Sequence, residues 1–462
     1  MISRIFVSVV QRCSCFIYIL PFIAAFSHAV QANNIAPPRG DAEQAFAEFG
    51  SSIFQVRIIN LKSHNLNSSG TGFFVADGHL VATNYHVISS VVLEPQEYKV
   101  VIKREGREVA LEVVAIDVVN DLAVLRVEEQ GKPLLMRALS PFKGEKLYSI
   151  GNPHNIGMTI VEGNYNGLAD GYVFDRIHFS GALNPGMSGG PTIDVNGDVV
   201  GVNVQTAGNQ VGFLVPVEKL TRLLDGVSGG AGAVAAVAEP EEVEDLTEAT
   251  QDDEEPKVVL YEHLQHAIGE QIMSATSTLI DEINTRDWPT ELLSDATVVG
   301  EVHPGFHCWG QSDTDEKLNI LTVVKGCNSR QSIYVSSELD SGYFEYEFRY
   351  IEGKDWPAMA FYQYASNEFS HGRPSNSAGE EDVEDFTCVN DIIEREDGSV
   401  RRRAAFCARP YKKYGGLYDT FYMGVTIDKN NRALMEHFCL SGVDKQKSNE
   451  FMTRFIQQVK WQ

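Results

Sequence analysis

From Phe54 to Pro216 the apolar residues come in short runs, each cut by glycine, asparagine or proline, and helical periodicity is nearly absent. A chain patterned this way builds many short strands, and these bury their apolar faces by packing into sandwiches or barrels. The segment Val217 to Leu224 is the exception, an apolar and charged stretch expected to pack on the barrel as a helix. With 462 residues and 43% hydrophobic content the chain can bury more than one core. At about 100–200 residues per domain, two or three units are expected.

Within this β-rich stretch lies Gly186-Met187-Ser188-Gly189-Gly190-Pro191. Small residues around one serine expose its hydroxyl and aim backbone N–H groups at a point where a reacting carbonyl could sit. Taken by itself the turn is weak evidence, because glycine-serine turns are common in loops. Two upstream segments strengthen it. Leu80-Val81-Ala82-Thr83-Asn84-Tyr85-His86-Val87-Ile88 is an apolar strand running into a histidine, and Asn120-Asp121-Leu122-Ala123-Val124-Leu125 is an acid opening another strand. An isolated histidine is usually structural, an isolated aspartate a turn former and an isolated serine a loop filler. In this order and in these contexts they point to nucleophilic catalysis.

The order His, Asp, Ser is shared with chymotrypsin-like serine proteases. Residues 44–225 more closely resemble HtrA/Deg-type trypsin-like proteases, through Thr83-Asn84-Tyr85-His86-Val87, Asp121-Leu122-Ala123-Val124-Leu125, Ile150-Gly151-Asn152-Pro153, Asn184 to Pro191 and Gly212-Phe213-Leu214-Val215-Pro216. The resemblance implies an all-β double β-barrel for residues 44–225; a separate α+β domain after it is expected from the patterning of residues 257–462. It also implies a serine endopeptidase working through an acyl-enzyme on protein or peptide substrates, with no cofactor. Ser188 would be the nucleophile, His86 the proton shuttle and Asp121 the group that orients the histidine. Asp117 lies nearby, but only Asp121 directly precedes the Leu-Ala-Val-Leu strand. The backbone N–H groups of Gly186 and Ser188 would form the oxyanion hole. Counting back from Ser188, Ala182 aligns with the base of the primary pocket, and Leu183 and Val204 add apolar walls. With no acid there to hold Lys or Arg, cleavage after small or medium aliphatic residues is expected.

Two positions depart from that family. Met187 stands where the trypsin branch has an aspartate that binds a freed N-terminus, which argues against activation by trimming. Tyr85 stands where alanine is frequent and is expected to narrow the site. The glycine-rich loop of a PDZ domain is not found after residue 225. Met187 keeps open a catalytically weak or inactive peptide-binding, chaperone-like protein on a protease scaffold, and the triad alone would also suit a serine esterase.

The 38 basic and 63 acidic side chains give a net charge of −25, which repels nucleic acid and anionic lipid surfaces. The run Arg401-Arg402-Arg403 reads as a solvated strand face. At the start, Arg4, the apolar run Phe16 to Phe26 and the patterns Ser27-His28-Ala29 and Val30-Gln31-Ala32 read as a cleavable secretory signal over residues 1–32. Pro21 interrupts the run, which falls short of the ~20 residues a spanning helix needs. A periplasmic or secreted protein without a stable membrane anchor follows; the oligomeric state does not.

Residues 226–256 pass from a Gly/Ala/Val-rich stretch into an acidic run without a basic residue, and read as a flexible linker. In residues 257–462, Leu260, Leu264, Ile268, Ile272, Ala275, Leu279 and Ile283 recur at helical spacing, ending near Trp288-Pro289. Phe344 to Tyr350 alternates aromatic with charged residues as a strand does. Met359 to Tyr364, Phe421 to Ile427 and Ala433 to Leu440 also read as strands, and Phe451, Phe455 and Val459 as a closing helix. A mainly antiparallel α+β domain is expected. His263 and His266 lie three apart without a carboxylate or cysteine cluster at ligand spacing, so no metal site is expected. Five cysteines remain after the signal, and an oxidising compartment favours their pairing. A two-residue hairpin at Asp397-Gly398 sets Cys388 opposite Cys407, at a hydrogen-bonded pair with Cα atoms ~5.5 Å apart. Cys308 with Cys327 follows by elimination, leaving Cys439 free.

Overall fold

The computed structural model describes residues 40–104, 106–228, 255–376, 378–395 and 397–462. The expected signal segment and most of the expected linker lie outside the described residues. A short helix, α1 (Asp41–Phe49), leads into β1 (Ile53–Asn60), β2 (Leu66–Val75) and β3 (Leu80–Thr83). Helix α2 (Tyr85–Leu93) and strands β4 (Tyr98–Arg104), β5 (Arg107–Asp117) and β6 (Leu122–Arg126) follow. The six strands close into an antiparallel barrel in the order β1-β2-β3-β6-β5-β4. A second closed barrel, ordered β10-β11-β12-β9-β8-β7, is built from β7 (Lys146–Gly151), β8 (Thr159–Leu168), β9 (Ile177–Phe179), β10 (Pro191–Ile193), β11 (Val199–Thr206) and β12 (Gly212–Pro216). Helix α3 (Val217–Ser228) then packs Leu220, Leu223 and Leu224 against Ala115, Val124 and Val215, as its apolar pattern requires. Two six-stranded antiparallel barrels are the chymotrypsin-like fold expected from the sequence.

The later region has its own sheets. After helix α4 (Glu255–Thr285) come β13 (Thr290–Leu293), β14 (Ala296–Val299), β15 (His307–Asp315), β16 (Ile320–Asn328), the hairpin β17 (Ile333–Ser336) and β18 (Leu339–Ser341), and β19 (Phe344–Gly353). Helix α5 (Ala358–Ser370), β20 (Thr387–Glu394), β21 (Arg401–Pro410), β22 (Leu417–Thr426), β23 (Arg432–Asp444), helix α6 (Lys445–Gln458) and β24 (Lys460–Trp461) complete it. Seven strands form one antiparallel sheet, β15-β16-β19-β23-β22-β21-β20. Alternation along β19 buries Phe344, Tyr346, Phe348 and Tyr350 against Phe451 and Phe455 of α6 and Ile280 and Ile283 of α4. The opposite face is covered by Phe361, Ala365 and Phe369 of α5.

Helix α4 belongs to both parts. Toward its middle it buries Leu264, Ile268 and Ile272 in the first barrel's core with Tyr85, Val91, Val92 and Ile116, while Leu279, Ile280 and Ile283 nearer its end join the large sheet. Fully burying three such side chains contributes roughly 1.5–3 kcal/mol each. Polar contacts fix the docking: the Gln265 amide donates to the Val92 carbonyl at 2.8 Å, and the Gln271 side chain accepts from Val118 N–H and donates to the Ile116 carbonyl.

Several expectations need correcting. Met359 to Tyr364 is the start of α5, not a strand: Pro357 stands at its N-cap, and the buried residues Phe361, Ala365 and Phe369 recur every four positions. Arg402 is not solvated, because strand alternation turns it inward, where it donates to Glu436 Oε1 at 2.7 Å, both side chains being 1% exposed. Both disulfides are present, Cys308–Cys327 and Cys388–Cys407, and Cys439 is free and buried. The hairpin register is as expected, but its bonding phase is not. Arg395 N–H donates to the Val400 carbonyl, which moves the hydrogen-bonded pairs one step along and leaves Cys388 and Cys407 at a close pair, Cα atoms 4.0 Å apart.

Candidate active site

Strand register brings the first two site residues together. Strand β3 pairs with β6 so that Thr83 lies opposite Ala123, and continuing that register by two residues sets Asp121 beside the start of α2. The Asn84 amide donates to the Asp121 carbonyl at 2.7 Å and locks the two chain ends. Asp121 itself takes a left-handed backbone, φ 62°, which a short polar residue tolerates better than most. Its carboxylate receives two hydrogen bonds from one residue: the His86 backbone N–H to Oδ1 at 2.8 Å and His86 Nδ1 to Oδ2 at 2.6 Å. Burial alone would lower the pKa of His86, but the charge and hydrogen bond of Asp121 outweigh it, and the pKa is raised. Asp117 holds instead the backbone N–H and side chain of Asn120. His86 is on the first turn of a helix, not at the end of the expected strand, which stops at Thr83.

The serine turn is pinned from both barrels. On one side Thr71 N–H donates to the Ser188 carbonyl at 2.8 Å and Thr71 Oγ1 to the Gly186 carbonyl at 2.7 Å. On the other, the Asn203 amide donates to the Met187 carbonyl, and the Asn203 backbone bonds both Gly189 and Gly190. Gly189 has φ 82°, and a Cβ there would fall 2.3 Å from Thr83 Oγ1, so the turn lies hard against the residues that precede His86. Gly186 has φ 96°, with space for a Cβ closed by the Asn152 carbonyl at 2.4 Å. The Pro185 carbonyl accepts from His154 N–H at 2.8 Å. In a trans peptide this directs the Gly186 N–H the opposite way. The N–H groups of Met187, Gly189 and Gly190 are used internally; among the described residues no internal acceptor is seen for those of Gly186 and Ser188.

Ser188 is half-buried at the edge of a cleft of about 280 Å³ lined by Leu183, Asn184, Pro185, Met187, Asn203, Val204, Gln205 and Thr206. Leu183 and Val204, expected as apolar walls, are in that lining. Ala182 is not: it is exposed and outside the cleft lining, because the tight turn bonding Leu183 N–H to the Gly181 carbonyl sends Leu183 inward. Met187 is buried in the second barrel's core with Leu147, Phe179 and Leu214, anchored by apolar packing in place of an ion pair. Tyr85 does not narrow the site; it is fully buried, and its hydroxyl donates to the Val335 carbonyl of the later region. Sequence reasoning missed Thr71, Asn152 and Asn203. The only signal for Thr71 is its placement between Gly70 and Gly72, where small neighbours allow close approach.

Residues 70–202 match a trypsin-like peptidase domain. Curated relatives of this trypsin-like region include a "probable periplasmic serine endoprotease DegP-like" of Bartonella henselae, 36% identical over 169 residues, covering 34% of this chain and 33% of the relative. Human "serine protease HTRA3" is 31% identical over 171 residues, covering 34% of this chain and 37% of that protein. The chain therefore spans about a third of the length of these relatives. Among solved structures, the serine endoprotease from Yersinia pestis is similar at 24% identity and a TM-score of 0.37, covering 42% of this chain and 69% of that one. The remainder of the chain is not recognised. Among the described residues no helix is long and apolar enough to cross a membrane.

Proposed function

We propose that the chain is an exported serine endopeptidase in which Ser188, His86 and Asp121 act as a catalytic triad. Ser188 Oγ attacks the scissile carbonyl as His86 takes its proton, and the imidazolium so formed is stabilised by Asp121. The oxyanion is held by the N–H groups of Gly186 and Ser188, a donor of this kind being worth about 3 kcal/mol of transition-state stabilisation. His86 returns the proton to the leaving amine, and water hydrolyses the acyl-enzyme with the same residues in the same roles.

The observation carrying this reading is the 2.6 Å His86–Asp121 bond beside a serine turn whose N–H groups at Gly186 and Ser188 have no internal acceptor among the described residues. The trypsin-like match over residues 70–202 and relatives named as periplasmic serine endoproteases support it, as does the secretory pattern of residues 1–32. The apolar contribution of Leu183, Met187 and Val204 to the cleft favours small or medium aliphatic residues before the cut. A peptide panel cleaved best after Arg would remove that preference. The activity is tested by incubating the mature protein and its Ser188→Ala variant with an unfolded protein near pH 8. Fragments from the first alone are expected; equal fragmentation by both, or by neither, refutes the proposal.

A further inference from the structure

We propose that Tyr334, supplied by the later region of the chain, is a positioning residue of the active site, its ring packed against His86 and holding the imidazole in the orientation set by Asp121. This rests on the endopeptidase reading above. The Tyr334 and His86 rings lie 6.1 Å apart between centroids and cross at 78°, an edge-to-face contact. The Ser89 hydroxyl, one helical turn beyond His86, donates to the His86 carbonyl at 3.4 Å.

The strand bearing Tyr334 is held at several points. Alternation along β17 buries Ile333 and Val335 in the first barrel's core and leaves Tyr334 half-buried on the other face, toward His86. The Tyr85 hydroxyl donates to the Val335 carbonyl at 3.0 Å, and its ring lies 6.5 Å from that of Tyr334. Two residues before β17, the Gln331 side chain accepts from Phe174 N–H at 2.8 Å and donates to the Phe174 carbonyl at 3.0 Å, reaching the second barrel. Tyr334 is thus fixed by anchors on both barrels while it touches the one side chain that must carry a proton between them. Nδ1 of His86 is tied to Asp121, but one hydrogen bond alone leaves the ring free to swing. A second contact, against the ring itself, removes that freedom and keeps water from one side of it. The titratable groups around the imidazole are Asp121, Tyr85 of α2 and Tyr334 of β17, with Arg176 of the second barrel interacting with Asp121.

The test uses the full mature chain, a short peptide substrate and the variants Tyr334→Phe and Tyr334→Ala. Loss of the ring is expected to lower kcat about 10- to 100-fold, the scale of a misplaced catalytic group, with KM little changed. Water then reaches the imidazolium, so the acid limb of the kcat/KM profile moves to higher pH. Tyr334→Phe keeps the ring and is expected to stay within about threefold of the parent on that same scale. If Tyr334→Ala does not fold, Tyr334→Leu, which keeps apolar volume without the ring plane, takes the same measurements. A folded ring-less variant with parental kcat and acid limb overturns the inference, as does a loss expressed in KM alone. The parent is also treated with a serine-phosphonylating reagent. A parent that neither takes the label on Ser188 nor cleaves overturns the endopeptidase reading and this role with it. A labelled, active parent with an unaffected Tyr334→Ala overturns only this role.

Discussion

Asp121→Asn separates two things the carboxylate does for His86. The carboxylate now accepts from the His86 backbone N–H through Oδ1 and from Nδ1 through Oδ2. An amide offers one acceptor oxygen. If the backbone N–H keeps it, the amide NH₂ faces Nδ1, and the imidazole must hold its proton on Nε2, where it cannot accept one from Ser188. The same exchange in a Ser-His-Asp triad costs about 10⁴ in kcat, and a loss of that order is expected here. The charge acts separately. His86 has a raised pKa only because Asp121 outweighs burial; with the carboxylate gone, burial acts alone and the pKa falls below the ordinary 6.5. The working base is neutral imidazole. The acid limb of kcat/KM therefore lies above 6.5 in the parent and moves to lower pH in the residual activity of the variant. Steady-state kinetics on one peptide between pH 5 and 9 reads both effects. A loss below about tenfold, or an acid limb that stays in place, refutes the assignment. Asp117→Asn, which disturbs the turn at Asn120 and removes a charge near Arg176 but leaves the His86–Asp121 bonds in place, is the control and should retain most activity.

Gly186→Ala forces a Cβ to within 2.4 Å of the Asn152 carbonyl, so the peptide must turn and its N–H leaves the oxyanion position. A loss of about 100-fold or more in kcat is expected, and activity within threefold of the parent would contradict it. Glu436→Leu leaves Arg402 charged and buried, which costs about 3–5 kcal/mol by thermal denaturation, whereas adding Arg402→Met should recover most of that. Serine at both Cys388 and Cys407 releases β20, an edge strand whose Val389 and Ile392 are already exposed. Faster amide exchange confined to β20 and β21 is expected, and acceleration spreading into the barrels would show that the bridge acts globally.

What could be read in advance followed the range of the interactions. The barrels and the site were legible because short apolar runs cut by glycine, asparagine and proline mark each strand locally, and because glycines at 186, 189 and 190 mark a backbone that only small residues allow. Asp121 was found by its own local context, an acid opening the Leu-Ala-Val-Leu strand, although the β3–β6 pairing that sets it beside α2 joins Thr83 to Ala123, 40 positions apart. Misreadings arose where a local pattern was ambiguous or the partner distant. Met-Ala-Phe-Tyr-Gln-Tyr suits a strand as well as a helix, and only the spacing of Phe361, Ala365 and Phe369 against a sheet decides it. Arg402 looks solvated until Glu436, 34 positions away, is brought beneath it. Tyr85 pairs with Val335 across 250 residues, and no local feature announces that contact.

That last contact alters what the later region is for. A tethered domain would leave the first barrel closed on itself, with polar residues on the outer face of α2. Val91 and Val92 of that helix are instead buried beside Leu264 and Ile268, so the first barrel's apolar surface is completed by α4. The residue before the histidine then serves as a docking point: a small side chain there would leave the Val335 carbonyl without its donor, whereas tyrosine fills the gap and satisfies it. The chain thus ties α2, which carries His86, to a strand formed nearly 250 residues later. Within that tie the Tyr334 ring lies against both the Tyr85 ring and the His86 imidazole.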